Sequence, residues 1–205
     1  MVQRKNMARG ALVDIRQMIL TPEQWHCLNP MKITTPRMTL RRLRPTDAPD
    51  LARIAGNDAV APMLASVTSP WPETDVLQWI EQSRWRGRLG FKLGVCLPDG
   101  TLMGALGLGG TPKSVAYFLA PSVWGPGLMT EALQRFLPWA CLRFGLHQIT
   151  ADHFADNPSL GRVLEKLGFV KTGSARFGSA ARIGTALGYT HCLDCEHLST
   201  SPTRD

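Results

Sequence analysis

The stretch Tyr117-Phe-Leu-Ala-Pro-Ser-Val-Trp-Gly-Pro-Gly-Leu-Met-Thr-Glu-Ala132 carries the pattern on which the fold turns. It joins the end of an apolar strand, Ser114–Leu119, to a helix that begins at Leu128, through a turn with glycines at 125 and 127. Glycine lets the backbone approach a ligand closely. The first turn of a helix adds unpaired N–H groups and the positive end of the helix dipole. Strand, glycine turn and helix N-terminus together make an anion site suited to a pyrophosphate. The same glycines would equally serve an ordinary strand-to-helix turn, and the spacing is not that of a dinucleotide fingerprint or a P-loop.

Toward the C-terminus, apolar residues at helical spacing (Leu133, Phe136, Leu137, Ala140, Phe144) predict a helix over Leu128–Phe144, with Pro138 expected to kink it. His147–Phe154 reads as a strand. Asn157–Leu167 reads as a short helix with Asn157 as cap, Pro158 at the first position and Gly168 just past the end. A β-rich segment over 169–197 follows. Toward the N-terminus, Phe91–Leu97 and Thr101–Leu108 flank the turn Pro98-Asp99-Gly100. Helical patterns cover Pro45–Ala55 and Glu73–Arg86, and Met38–Leu43 alternates as a strand. The order predicts one α/β domain, a mixed and mostly antiparallel sheet with helices on both faces. Its expected span is 36–198, after an extension over 1–35 (poorly ordered, or preceding a true start at Met31) and before a tail over 199–205.

With 205 residues, 44% of them hydrophobic and 19% charged, the composition is that of a soluble globular chain. No apolar run reaches the roughly 20 residues that cross a bilayer. Asp14 and Arg16 interrupt the one stretch resembling a signal core, so a cytoplasmic protein with no membrane partner is expected. The net charge of +7 favours an anionic partner. No zinc-finger or RNA-recognition motif accompanies it, and no nucleic-acid partner is expected. The five cysteines suggest a reduced set, with Cys96 and Cys141 as small buried hydrophobes. Cys192-Leu-Asp-Cys195 lacks a second ligand pair, and on a strand its cysteines would face opposite sides, so no metal is expected.

The stretch 117–132 resembles the acyl-CoA-binding motif of GCN5-related N-acetyltransferases, a strand with Tyr-Trp-Leu followed by Trp-Gly-x-Gly-Tyr-Ala-Thr-Glu-Ala. Farther along, Asn157-Pro-Ser-Leu-Gly-Arg-Val-Leu-Glu-Lys-Leu-Gly-Phe169 is similar to that family's second signature. The likeness extends over about 35–197, with Thr35–Arg44 as the opening strand, and is nearest the branch that acetylates ribosomal-protein N-termini. It implies a sheet that splays into a V between the fourth and fifth strands, counted from Met38, with acetyl-CoA in the gap. By resemblance, backbone N–H groups of Gly125, Gly127, Leu128, Met129 and Thr130 cradle the pyrophosphate, with Trp124 at the motif's first position. Phe118 and Leu119 pair with the pantetheine arm, and Asn157 faces it. Met129 stands where a small residue is usual. The serine of the second motif is at 159, one place early, with Leu160 in its customary position.

The resemblance implies acetyl transfer to a primary amine by direct attack in a ternary complex. The acceptor would be a protein N-terminus or a small molecule, and the enzyme a monomer or homodimer. No catalytic base stands out: Asp152 and His153 at the end of the fifth strand, and Glu73 or Glu81 on the early helix, are the candidates. A protein α-amine titrates near 8, so an appreciable fraction is neutral at physiological pH without a strong base. A non-catalytic acyl-CoA-binding module is the alternative class.

Overall fold

The computed structural model of the protein describes residues 31–198, so the extension through residue 30 and the tail 199–205 lie outside the described residues. The strands are β1 (Lys32–Thr34), β2 (Thr39–Arg42), β3 (Phe91–Cys96), β4 (Leu102–Gly109), β5 (Ser114–Leu119), β6 (Gln148–Phe154), β7 (Val170–Gly178) and β8 (Thr185–Asp194). They form one 8-stranded sheet in the order β1-β2-β3-β4-β5-β6-β8-β7. Every neighbouring pair is antiparallel except β5 and β6, which run parallel. The expected mixed, mostly antiparallel sheet is therefore present. It begins earlier than expected, because Lys32–Thr34 pairs with β2 instead of belonging to an extension. Pro36 sits in the turn of that hairpin, which Thr35 closes by donating its N–H to the Met38 carbonyl at 2.9 Å.

The helices are α1 (Ala48–Ala55), α2 (Glu73–Gln82), α3 (Leu128–Phe144), α4 (Pro158–Lys166) and a short α5 (Cys195–Leu198). Asp47 sets the entry to α1: its carboxylate accepts from the Arg44 N–H at 2.7 Å and from the two terminal Arg41 guanidinium nitrogens at 2.7 and 2.8 Å. Alternation along the strands divides the core. Leu51 of α1 and Val76 and Ile80 of α2 pack with Leu102 and Ala105 on one face. Leu133, Phe136 and Leu137 of α3 and Leu164 of α4 pack with Leu106, Leu108, Val115, Ile149 and Ala151 on the other. Each such large side chain, wholly buried, contributes roughly 1.5–3 kcal/mol. That burial anchors α3, which continues through Pro138 to Phe144.

Two sequence expectations change at the C-terminus. Strand β8 ends at Asp194, and Cys195 opens α5. Cys195 is disulfide-bonded to Cys141 of α3, across a Cα separation of 5.9 Å, so Cys141 is not the free buried thiol that its apolar neighbours suggested. The end of α3 and the end of β8 are brought together in the fold, a juxtaposition that a separation of 54 positions conceals in the sequence. Among the described residues no helix is long and apolar enough to cross a membrane.

Candidate active site

The parallel pair is where the sheet opens. Strands β5 and β6 share one register pair, Ser114 opposite Thr150, and the Thr150 N–H donates to the Lys113 carbonyl at 2.8 Å. From there they separate, while β5 stays paired to β4 through Leu119 and β6 stays paired to β8 through Phe154. A cavity of about 460 Å³ is lined by the far half of β5, the loop Val123–Gly127 with the start of α3, the segment Asp156–Lys166, and the loop from Ala59 to Leu64.

The glycine turn supplies one wall. Gly125 (φ 106°) and Gly127 (φ 77°) both hold left-handed backbone, which other residues adopt at a cost of roughly 1–2 kcal/mol. A Cβ at either would meet nothing within 4 Å, so conformation and not crowding is what requires glycine here. Gly127 is the N-cap of α3 and offers no side-chain cap. The first intrahelical bond is Glu131 N–H to the Gly127 carbonyl at 3.1 Å, which leaves the N–H groups of Leu128, Met129 and Thr130 without helical acceptors. Trp124, 53% exposed, donates its indole N–H to the Leu119 carbonyl at 2.9 Å and so ties the turn to the end of β5.

The strand supplies a second wall. The Ala120 N–H donates to Met103 on β4, and alternation then turns the backbone groups of Phe118 toward β4 and those of Tyr117 and Leu119 toward the gap. Phe118 lines the cavity and its ring centre lies 6.4 Å from that of Trp79, while a ligand pairing with the strand would meet Tyr117 and the Leu119 N–H, the Leu119 carbonyl being held by Trp124. The Tyr117 hydroxyl is buried with no hydrogen-bond partner among the described residues. Burial also pushes the Tyr117 phenol up, so it stays a protonated donor.

The third wall is a rim built from distant segments. In the turn between β7 and β8, Ser179 Oγ donates to the Leu64 carbonyl at 2.7 Å, and the Ala180 N–H donates to Ala65 at 3.0 Å. Arg182 Nε donates to the Pro62 carbonyl at 2.6 Å, and its other nitrogens reach the Asp156 carboxylate at 2.8 and 3.1 Å. The guanidinium also lies 4.3 Å from the centre of the Phe154 ring. Asp156 lines the cavity, and the Arg182 guanidinium holds its carboxyl below the usual range.

A family model described as an acetyltransferase (GNAT) domain matches residues 37–170, more than half of the chain. The chain belongs to the GNAT family. Over 62 residues, 30% of this chain and 34% of the relative, it is 42% identical to the probable N-acetyltransferase YjcK of Bacillus subtilis (strain 168). The match therefore spans about a third of that relative's length. Solved structures share the fold. A GNAT-family acetyltransferase from Bacillus anthracis superposes with a TM-score of 0.69 at 18% identity, over 81% of this chain and 99% of that one. Mycobacterium smegmatis RimJ in complex with CoA-disulfide gives 0.67 at 23%, over 80% and 85% of the two chains. The ribosomal-protein-S5-alanine acetyltransferase from Vibrio fischeri gives 0.66 at 20%, over 82% and 98%.

Within this GNAT cleft the structure brings together Phe118, Leu119, Trp124, Gly125, Gly127, Leu128, Met129, Thr130 and Asn157. Asn157 caps α4, its side chain accepting from the Leu160 N–H at 3.2 Å, and Ser159 accepts from Arg162 at 2.9 Å. The four candidate bases lie elsewhere. His153 is buried beneath α4, its ring 5.1 Å from that of His191, and a Cβ on Gly161 would come within 3.1 Å of its Nε2. Its Nδ1 is 2.8 Å from the Phe154 carbonyl. Asp152 precedes His153 on β6 and so points to the opposite face. Glu81, exposed on α2, pairs with Arg86 at 3.0 Å, and Glu73 opens that helix. Sequence reasoning missed Tyr117 as a site residue, though it stands in the motif, and missed the 59–64 loop, Asp156 and Arg182. Those last groups have no local signature, since hydrogen bonds across the fold define them.

Proposed function

We propose that this GNAT protein transfers the acetyl group of acetyl-CoA to a primary amine by direct attack in a ternary complex, with a protein N-terminal α-amine as acceptor. One observation carries the reading: the sheet opens at β5 and β6 directly beside a left-handed glycine turn that caps α3. The residues present fit such a cosubstrate. Free N–H groups at Leu128, Met129 and Thr130 suit a pyrophosphate. Tyr117 offers a buried donor, unpartnered among the described residues, and strand groups for an amide-bearing arm. When bound, acetyl-CoA supplies an acetyl group activated as a thioester.

Chain residues then act mainly by positioning. The cleft confines the two reactants, and N–H donors and the strand hold the arm in register, the kind of preorganisation that lowers a bimolecular barrier. Asp156, kept ionised by Arg182, offers a carboxylate to an approaching ammonium but is a weak base. A weak base suits an α-amine, already partly neutral near pH 8, better than a lysine amine near 10.4. The Vibrio fischeri neighbour, by name a ribosomal-protein-S5-alanine acetyltransferase, adds support for a protein acceptor.

Thiol release from acetyl-CoA, measured against peptides with free N-termini, lysine side-chain peptides and small amines, tests the proposal. Peptide α-amines should be acetylated fastest, with the rate climbing as pH rises toward about 8. Binding of acetyl-CoA without thiol release for any amine would replace the enzyme with an acyl-CoA-binding module.

A further inference from the structure

Arg37 belongs to the turn between β1 and β2, far in sequence from the glycine loop, yet three of its groups reach that loop and the helix behind it. Its backbone N–H donates to Glu131 Oε1 at 3.0 Å, and its Nε donates to Glu131 Oε2 at 2.5 Å. Its NH1 donates to the Pro126 carbonyl at 3.0 Å. Burial alone pushes the Glu131 carboxyl up, but hydrogen bonds from Thr35 and Arg37 outweigh it and hold it below the usual range. Glu131 is thus a carboxylate in the first turn of α3.

Two consequences follow from peptide geometry and charge. Pro126 stands between Gly125 and Gly127, two residues in left-handed backbone that resist rotation little. The Pro126 carbonyl and the Gly127 N–H share one trans peptide, so they point in opposite directions. Anchoring the carbonyl to Arg37 therefore aims the Gly127 N–H away from Arg37. A carboxylate in the first turn also competes with a bound anion for the positive helix end. The Arg37 guanidinium offsets that charge at contact distance.

Resting on the reading of this loop as the pyrophosphate cradle, we propose that Arg37 is a positioning residue for acetyl-CoA. It orients the Pro126–Gly127 peptide and neutralises Glu131, so the helix end meets the cosubstrate as a site of donors. Arg37 itself does not touch the reacting atoms.

Calorimetric titration of acetyl-CoA into the full chain tests this, with thermal melting as the folding control. R37A should bind about tenfold more weakly than the unmutated protein, as expected for losing charge-assisted hydrogen bonds that order the site. The double variant R37A/E131Q should recover about threefold of that loss, because no uncompensated carboxylate then stands in the first turn of α3. In turnover assays R37A should raise KM for acetyl-CoA and leave kcat close to its original value. If R37A does not fold, R37K keeps the charge without the fork geometry, and should bind about threefold more weakly. Folded R37A, or R37K in its place, binding within about twofold of the unmutated protein overturns the proposal. A double variant no tighter than R37A also overturns it. Failure of the unmutated protein to bind acetyl-CoA would remove the cradle reading as well, so the two failures are told apart.

Discussion

At the scale of single residues, Gly127 concentrates two demands, left-handed backbone and a place beside the free helix N–H groups. Open space around its missing Cβ means that a side chain is excluded by strain and by charge, not by collision. G127A and G127E separate these. Both should lose roughly 1–2 kcal/mol of stability from the positive φ. G127E should in addition lose acetyl-CoA binding by about two orders of magnitude beyond G127A, because its carboxylate occupies the field that attracts pyrophosphate. Calorimetry with circular dichroism on both variants checks this, and equal affinities in two folded variants would place the cosubstrate away from the loop. His153 teaches the opposite lesson. A histidine at a strand end is a natural candidate base, but this one is buried against α4 and is not among the residues that line the cavity.

At the scale of elements, the wall formed by the 59–64 loop depends on a turn more than a hundred positions away. Arg182, only 17% exposed along its side chain, unites the Pro62 carbonyl, the Asp156 carboxylate and the Phe154 ring. R182A leaves the Pro62 carbonyl without this donor and frees Asp156, and should cost about 2 kcal/mol in urea unfolding. Because Arg182 bonds the 59–64 loop and Asp156 and not the glycine turn, acetyl-CoA affinity should stay near that of the unmutated protein while KM for the amine rises. A matching loss of acetyl-CoA affinity would show that the rim and the glycine turn are one cooperative unit. Helix α3 shows how packing overrides local signals. Pro138 removes a backbone bond to Gln134, yet the buried face from Leu128 to Ala140 holds the element together through it.

Across the whole molecule, the sheet is a continuous surface broken at one seam. Helices brace it from both faces, so the opening between β5 and β6 persists without the strands closing on each other. A ligand that fills the seam and binds only the native state must stabilise the whole chain. At a hundred times its Kd, acetyl-CoA adds about 2.7 kcal/mol. For a domain of this size that corresponds to a rise in Tm of roughly 5–10 °C. Differential scanning fluorimetry should show that rise with acetyl-CoA, and much less with NADH or ATP at equal concentration. A folded protein with an unchanged Tm would remove the seam as the binding site.

The amino-acid sequence by itself determined whatever is local. The Ser114–Leu119 strand and the Leu128–Phe144 helix were legible to the residue because periodicity and a glycine turn bound them. The Asn157 cap and the order of elements were legible for the same reason, since they depend on neighbours a few positions apart. Only the tertiary structure decided what acts across the sheet. Arg37 meets Glu131 across 94 positions, Arg182 meets Asp156 across 26, and Cys141 meets Cys195 across 54. None of these pairs has a periodic signature, because each partner satisfies its own local pattern and is brought to the other by how helices and turns pack on the sheet. The burial of His153 and of the Tyr117 hydroxyl, which has no partner among the described residues, has the same origin. Which side chains face an open seam is set by where two strands stop pairing, and that is a property of the assembled sheet.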